Sequence, residues 1–115
     1  MKKHDRQVLK SKMEEELASL AVEIDRLNEQ IQPIPPDRAI GRLTRMEAIQ
    51  SKSITEASLR TAKVRMRKLQ IALRNVEEDP DYGTCQVCEK PIPVKRLLLV
   101  PESTRCVPCA SNVVR

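Results

Sequence analysis

Aromatic side chains are almost missing from this sequence, whose 115 residues hold one Tyr, no Phe and no Trp. Aromatic rings normally supply much of the buried area of a compact core, so a sizeable globular core is not expected. Glycine is nearly as scarce, at two residues, which removes glycine-rich phosphate loops. No apolar run approaches the roughly 18 residues that a membrane span needs. The start, Met1-Lys2-Lys3-His4-Asp5, leads into charged sequence instead of the apolar core of a signal peptide. Neither a membrane nor a secreted fate is expected, and the expected compartment is the cytoplasm. No His-based dyad, paired-acid cleft or phosphate loop is evident, so the chain is not expected to be an enzyme.

Charge is what the sequence has in quantity. Charged residues make up 32% of it, a share typical of long exposed helices. Twenty-one Lys and Arg against sixteen Asp and Glu leave a net charge of +5 and a pI near 9.2. That balance suits an acidic partner such as nucleic acid.

From about Gln7 to Gln32 the apolar residues fall at Met13, Leu17, Leu20, Ile24, Leu27 and Ile31. Alternating steps of four and three predict a helix with a narrow coiled-coil seam. Pro33, Pro35 and Pro36 then end it, because each proline lacks an amide donor and restricts the residue before it. Asp37 follows as a natural N-cap, its carboxylate able to accept from the first free amides of a second helix. That helix is expected from Arg38 to about Glu78, with a clean distal seam at Leu59, Ala62, Met66, Leu69, Leu73 and Val76. Its proximal half is thinner: Leu43 and Met46 begin a seam, but Gln50 and Ser53 take the next places.

Two long helices joined by a short rigid turn fold back as an antiparallel hairpin. The first arm carries Glu14, Glu15, Glu16, Glu23, Asp25 and Glu29, whereas Ala57 to Val76 carries Arg60, Lys63, Arg65, Arg67, Lys68 and Arg74 and no acid. Two readings of the basic run stay open: complementarity between the arms, or a stripe that meets nucleic acid.

From Asp79 to Arg115 the chain changes character, broken by Pro80, Pro91, Pro93, Pro101 and Pro108 and holding all four cysteines. Cys85-Gln86-Val87-Cys88 and Cys106-Val107-Pro108-Cys109 stand seventeen residues apart. Paired CxxC knuckles at 15–20 residues are the signature of a tetrathiolate zinc site. Two residues between thiolates let one tight turn aim both sulfurs at a single ion, and two such turns close the tetrahedron. A shell of four protein ligands leaves no open position, so one structural Zn2+ is expected. So small a module cannot stabilise itself by burial; zinc would contribute on the order of 10–16 kcal/mol. Two disulfides, a rubredoxin-type iron centre and a thiol switch that ejects zinc are the alternatives. His4, expected in a frayed terminus, is not needed as a ligand. Between the knuckles, Ile92 to Val100 reads as short strand material, with Leu97–Val100 packed on the base of the hairpin.

The expected architecture is mainly α: an antiparallel coiled-coil hairpin over 1–78 with its tip near 33–39, then a small four-cysteine zinc-finger module with short strands over 79–115. A helical hairpin with a Pro/Asp turn, then Tyr82-Gly83-Thr84-Cys85-x-x-Cys88, Ile92, Arg96-Leu97, Pro101 and Cys106-x-x-Cys109, resembles the DksA/TraR family of zinc-finger transcription regulators, in particular its short members. The resemblance covers roughly residues 30–110. It implies a bacterial cytoplasmic protein that binds RNA polymerase without reading DNA sequence. It also implies a hairpin that enters the secondary channel, bringing an acidic tip toward the catalytic magnesium while the zinc module rests on the rim. The tip triplet carried over is Asp37, Arg38 and Ala39.

The sequence departs from the family at three places. Ile34 stands where better-known members have a second Asp, the span from the tip to Cys85 is about two helical turns longer, and Glu89 stands where Gly is common. Sensitivity to guanosine tetraphosphate is not carried over, since no matching basic residues are identifiable. The competing function is a zinc-ribbon nucleic-acid binder that uses the basic run 60–74.

Overall fold

The computed structural model describes residues 1–31 and 42–111, with Arg42 and Leu43 described by their backbone alone. The order of elements is α1 (Lys3–Gln30), α2 (Arg42–Glu78), α3 (Val94–Leu99) and α4 (Val107–Ser111). The Pro33–Asp37 turn, the Asp37 cap, the Arg38 helix start and the tip triplet lie outside the described residues.

By the density of its contacts the chain divides into two units, Met1–Ala18 with Arg67–Arg115, and Ser19–Met66. In the first, α1 and α2 run antiparallel. Arg6, near the start of α1, bonds the carbonyl of Val76 near the end of α2, and Lys10 pairs with Glu77 at 2.7 Å. Leu9, Met13, Leu69, Ala72 and Val76 are buried along the two helices, and Cys85, Ile92, Leu97 and Pro101 in the zinc module. The six largest fully buried side chains among the described residues all belong to this unit.

Among the described residues of the second unit, Leu20, Ile24, Leu27 and Ala62 are buried. All four are seam positions, three on α1 and one on α2. Met46, Ile49 and Ile54 are exposed, in keeping with the thin proximal seam. Thr55 and Thr61 turn their hydroxyls back onto the carbonyls of Ser51 and Ala57, the usual way a helical Thr satisfies itself.

The helices differ from expectation at several points. α1 begins at Lys3, so His4 is an exposed helical residue and not part of a frayed end. The seam of α1 also starts earlier, at fully buried Leu9. Counting from Leu9, the steps to Leu20 are four, four and three, an eleven-residue spacing that a strict heptad search passes over. Leu17 is half-buried, as are Leu59, Met66 and Leu73 in α2, while the small Ala72 is buried.

The charges bear on the two readings of the basic run. Lys10–Glu77 joins a basic residue on α1 to an acidic one on α2, the reverse of the sense that complementarity between the arms would give. Arg60, Lys63, Arg67, Lys68 and Arg74 are exposed, and none has an ion pair or hydrogen bond among the described residues; Arg65 does have a partner. Side chains outside an apolar seam reach water more cheaply than they reach the neighbouring helix, so the excess positive charge of α2 points outward.

Candidate metal centre: a four-thiol cluster at the end of α2

Pro80 ends α2, and a chain of local bonds aims the segment beyond it. The amide of Asp79 donates to Asn75 at 2.8 Å, and that of Tyr82 donates to Asp79 at 3.2 Å. The carboxylate of Asp79 accepts from the Asp81 amide at 2.9 Å, an Asx turn. Gly83 takes a positive φ of 93° that glycine adopts without steric penalty. A side chain there would run into the terminal methyl of Met1.

The first knuckle is a tight hairpin. Thr84 and Pro91 form the single isolated antiparallel bridge among the described residues. The Cys85 amide donates to Lys90, and the Ile92 amide to Gly83. To close this loop Glu89 adopts a φ of 63°, the left-handed region disfavoured by a residue with a Cβ.

The second knuckle follows a helix where strand was expected. Val94–Leu99 is α3, and its course has a physical reason. Pro93 enters with φ −57°, a value compatible with a helical turn, and its carbonyl accepts from the amides of Arg96 and Leu97. Lys, Arg and Leu are good helix formers, and Pro101 blocks extension. Of the Leu97–Val100 run only Leu97 is buried, and Leu99 is 78% exposed, because a helical turn sends consecutive side chains in different directions. Arg96 uses its Nε to donate to the carbonyl of Arg105 at 3.2 Å, and Ser103 Oγ donates to the same oxygen at 2.8 Å. This fixes the residue immediately before Cys106. The Gln86 amide donates to Thr104 at 2.9 Å, tying the two knuckles together.

The result is one cluster. The sulfurs of Cys85, Cys88, Cys106 and Cys109 all lie within 4.8 Å of one another, and none is in a disulfide. Cys88 Sγ and Cys106 Sγ are 3.7 Å apart. A tetrahedral zinc with Zn–S bonds near 2.3 Å has edges of about 3.8 Å, so the donor set fits that ion. Cys85 is buried, Cys106 and Cys109 are half-buried and Cys88 is exposed.

The electrostatics of the thiols are uneven. The Cys85 thiol is lowered to about 6, first by the backbone groups of Cys88 and Cys106 and then by that of Val87, against the opposing effect of burial. Cys109 is raised to about 12, first by its hydrogen bond with Cys106 and then by burial. Four neighbouring sulfurs cannot all ionise unless a cation sits among them; bound zinc is what deprotonates such a set.

Tyr82, the lone aromatic residue, closes the module from the side. Its hydroxyl donates to the carbonyl of Pro101 at 3.0 Å, and the Arg6 guanidinium carbon lies 6.0 Å from its ring centroid. Burial pushes its pKa up to about 12, with Arg6 opposing the shift. The part played by Arg6 had no motif to announce it in the sequence.

Comparison with known proteins agrees with this geometry. Residues 80–113 match the prokaryotic dksA/traR C4-type zinc finger. No curated protein sequence matches the chain. Among solved structures, that of transcription factor DksA2 from Pseudomonas aeruginosa superposes with a TM-score of 0.75 at 24% identity, covering 96% of this chain and 84% of that one. Residues 80–113 thus match a dksA/traR C4-type zinc finger, with one structural Zn2+ held by Cys85, Cys88, Cys106 and Cys109, in a chain whose fold is similar to that of DksA2.

Proposed function

We propose that this protein is a cytoplasmic transcription regulator that binds RNA polymerase and inserts the end of its α1–α2 hairpin into the secondary channel, modulating initiation without catalysis of its own. The observation that carries the reading is the family's four-thiol finger held directly against the paired ends of two antiparallel helices. The solved structure with the same fold is named a transcription factor, which supports the same class of role. A metal enclosed by four protein sulfurs has no free position for substrate, which supports a regulator over an enzyme. The hairpin would occupy residues 1–78 and the finger 79–115.

In this reading Asp37, Arg38 and Ala39 form the working tip, with Asp37 as its acid. Ile34 replaces the second carboxylate, so the tip acts with one negative charge. The four cysteines do not touch the polymerase active site; they keep the base of the hairpin rigid.

The test is retention of the zinc-loaded protein on immobilised core RNA polymerase at low salt. Binding is expected; no binding removes the proposal. Asp37→Ala should bind polymerase as the parent does while losing its effect on promoter-complex lifetime, and an unchanged effect would refute the tip mechanism.

A further inference from the structure

We propose that the outward face of α2 from Arg60 to Arg74 is a docking strip for the phosphate backbone of duplex nucleic acid, independent of base sequence. Arg60, Lys63, Arg67 and Arg74 are separated by three, four and seven residues, so helical periodicity places all four on one face. All four are exposed and none has a partner among the described residues. Lys68, equally exposed and unpartnered among those residues, flanks the line.

The strip has ends. Glu56 and Glu78 stand on the same face before and after it, with no acid between Ala57 and Val76. At 1.5 Å per residue it is about 21 Å long.

Phosphate is the chemistry that suits it. A backbone strand offers a negative charge at each step of about 3.4 Å along the duplex axis, so a straight line of cations meets phosphates in any register. Three of the four cations are Arg, whose planar fork binds phosphate oxygens in pairs. An acidic protein surface would need apolar anchors for a stable contact. The strip offers only Val64 and Ile71, 55% and 47% exposed, beside its cations. It has no aromatic platform for unstacked bases.

The experiment is a binding titration of the zinc-loaded protein on random-sequence duplex DNA without polymerase, so that its outcome is separate from that of the polymerase reading. Four phosphate contacts predict a log–log salt slope of about −3.6, or roughly 150-fold weaker binding on going from about 50 to about 200 mM salt. Neutralising Arg60, Lys63, Arg67 and Arg74 to Gln should leave zinc content and helicity intact and flatten the slope to about −1 or less. Neutralising Lys2, Lys3, Lys90 and Lys95 to Gln removes the same charge elsewhere and should change the slope far less. Should the quadruple strip variant fold poorly, Arg60→Gln with Arg74→Gln should lower the magnitude of the slope by about two. No DNA binding at low salt, or equal effects of the strip and control variants, would overturn the proposal. So would loss of polymerase binding in the strip variant while DNA binding is unchanged, since the strip would then serve an acidic protein surface.

Discussion

Arg6 and Val76 are seventy positions apart in sequence, yet Arg6 Nη1 donates to the carbonyl oxygen of Val76 at 2.9 Å. The same atom reaches the carbonyl of Asp79 at 2.9 Å, and Nη2 reaches that of Pro80 at 3.0 Å. The last carbonyls of a helix have no partner within it. Pro80 removes the amide that would have extended α2, and a guanidinium from α1 takes over. One side chain thus closes α2, joins it to α1 and lies over Tyr82.

Arg6→Ala should destabilise the fold by about 2 kcal/mol, the scale of hydrogen bonds from a charged donor to groups left half-buried. Arg6→Lys should recover less than half, because an ammonium cannot span three carbonyls as the planar fork does. Chemical denaturation followed by helicity measures both. A loss below about 0.5 kcal/mol for Arg6→Ala would mean that water satisfies these carbonyls equally well.

The purified protein should hold about one zinc per chain, and Cys85→Ser or Cys109→Ser should reduce that to near zero. Chelation should unfold the segment around residues 84–111 first, because its order rests on the metal more than on burial. Hydrogen exchange before and after chelation reads this directly. Equal protection of that segment with and without metal would remove zinc from its structural role. Acid should also release the ion, since each thiol must lose its proton to bind and acid returns it.

Glu89→Gly should stabilise the zinc-loaded protein by about 1 kcal/mol, by relieving the left-handed backbone at a φ of 63°. Glu89→Asn should give part of that gain, since Asn tolerates this region better than Glu. Glu89→Val should weaken the finger. The three variants ordered by thermal midpoint form the check, and a Gly variant less stable than the parent would show that the Glu89 side chain contributes more than its backbone costs.

The single tyrosine makes an optical titration unambiguous. Tyr82 is raised from its ordinary value of 10.0 to about 12 because burial disfavours the phenolate. A raised folded value means its stabilising contribution is complete below pH 10 and is lost as pH rises toward 12. Phenolate absorbance should therefore appear well above pH 10 in the native protein and near pH 10 in denaturant. Arg6→Ala should move the native midpoint higher still, since Arg6 opposes the shift. Coincident native and denatured curves would mean that the hydroxyl is not held against Pro101.

What could be read from the sequence was whatever short-range spacing encodes. Steps of three and four from Met13 to Ile31 mark a helical face, and two CxxC pairs seventeen residues apart define a ligand set, because ring closure around one ion tolerates few spacings. Tertiary structure decided what depends on distant partners. It buried Leu9, outside the heptad pattern, and turned Val94–Leu99 into helix because Pro93 starts a turn there. It also gave the carbonyls at the end of α2 to Arg6, and it directed Arg60, Lys63, Arg67 and Arg74 outward instead of toward the acids of α1. Spacing along a helix fixes which residues share a face, but only packing against other segments fixes what that face meets.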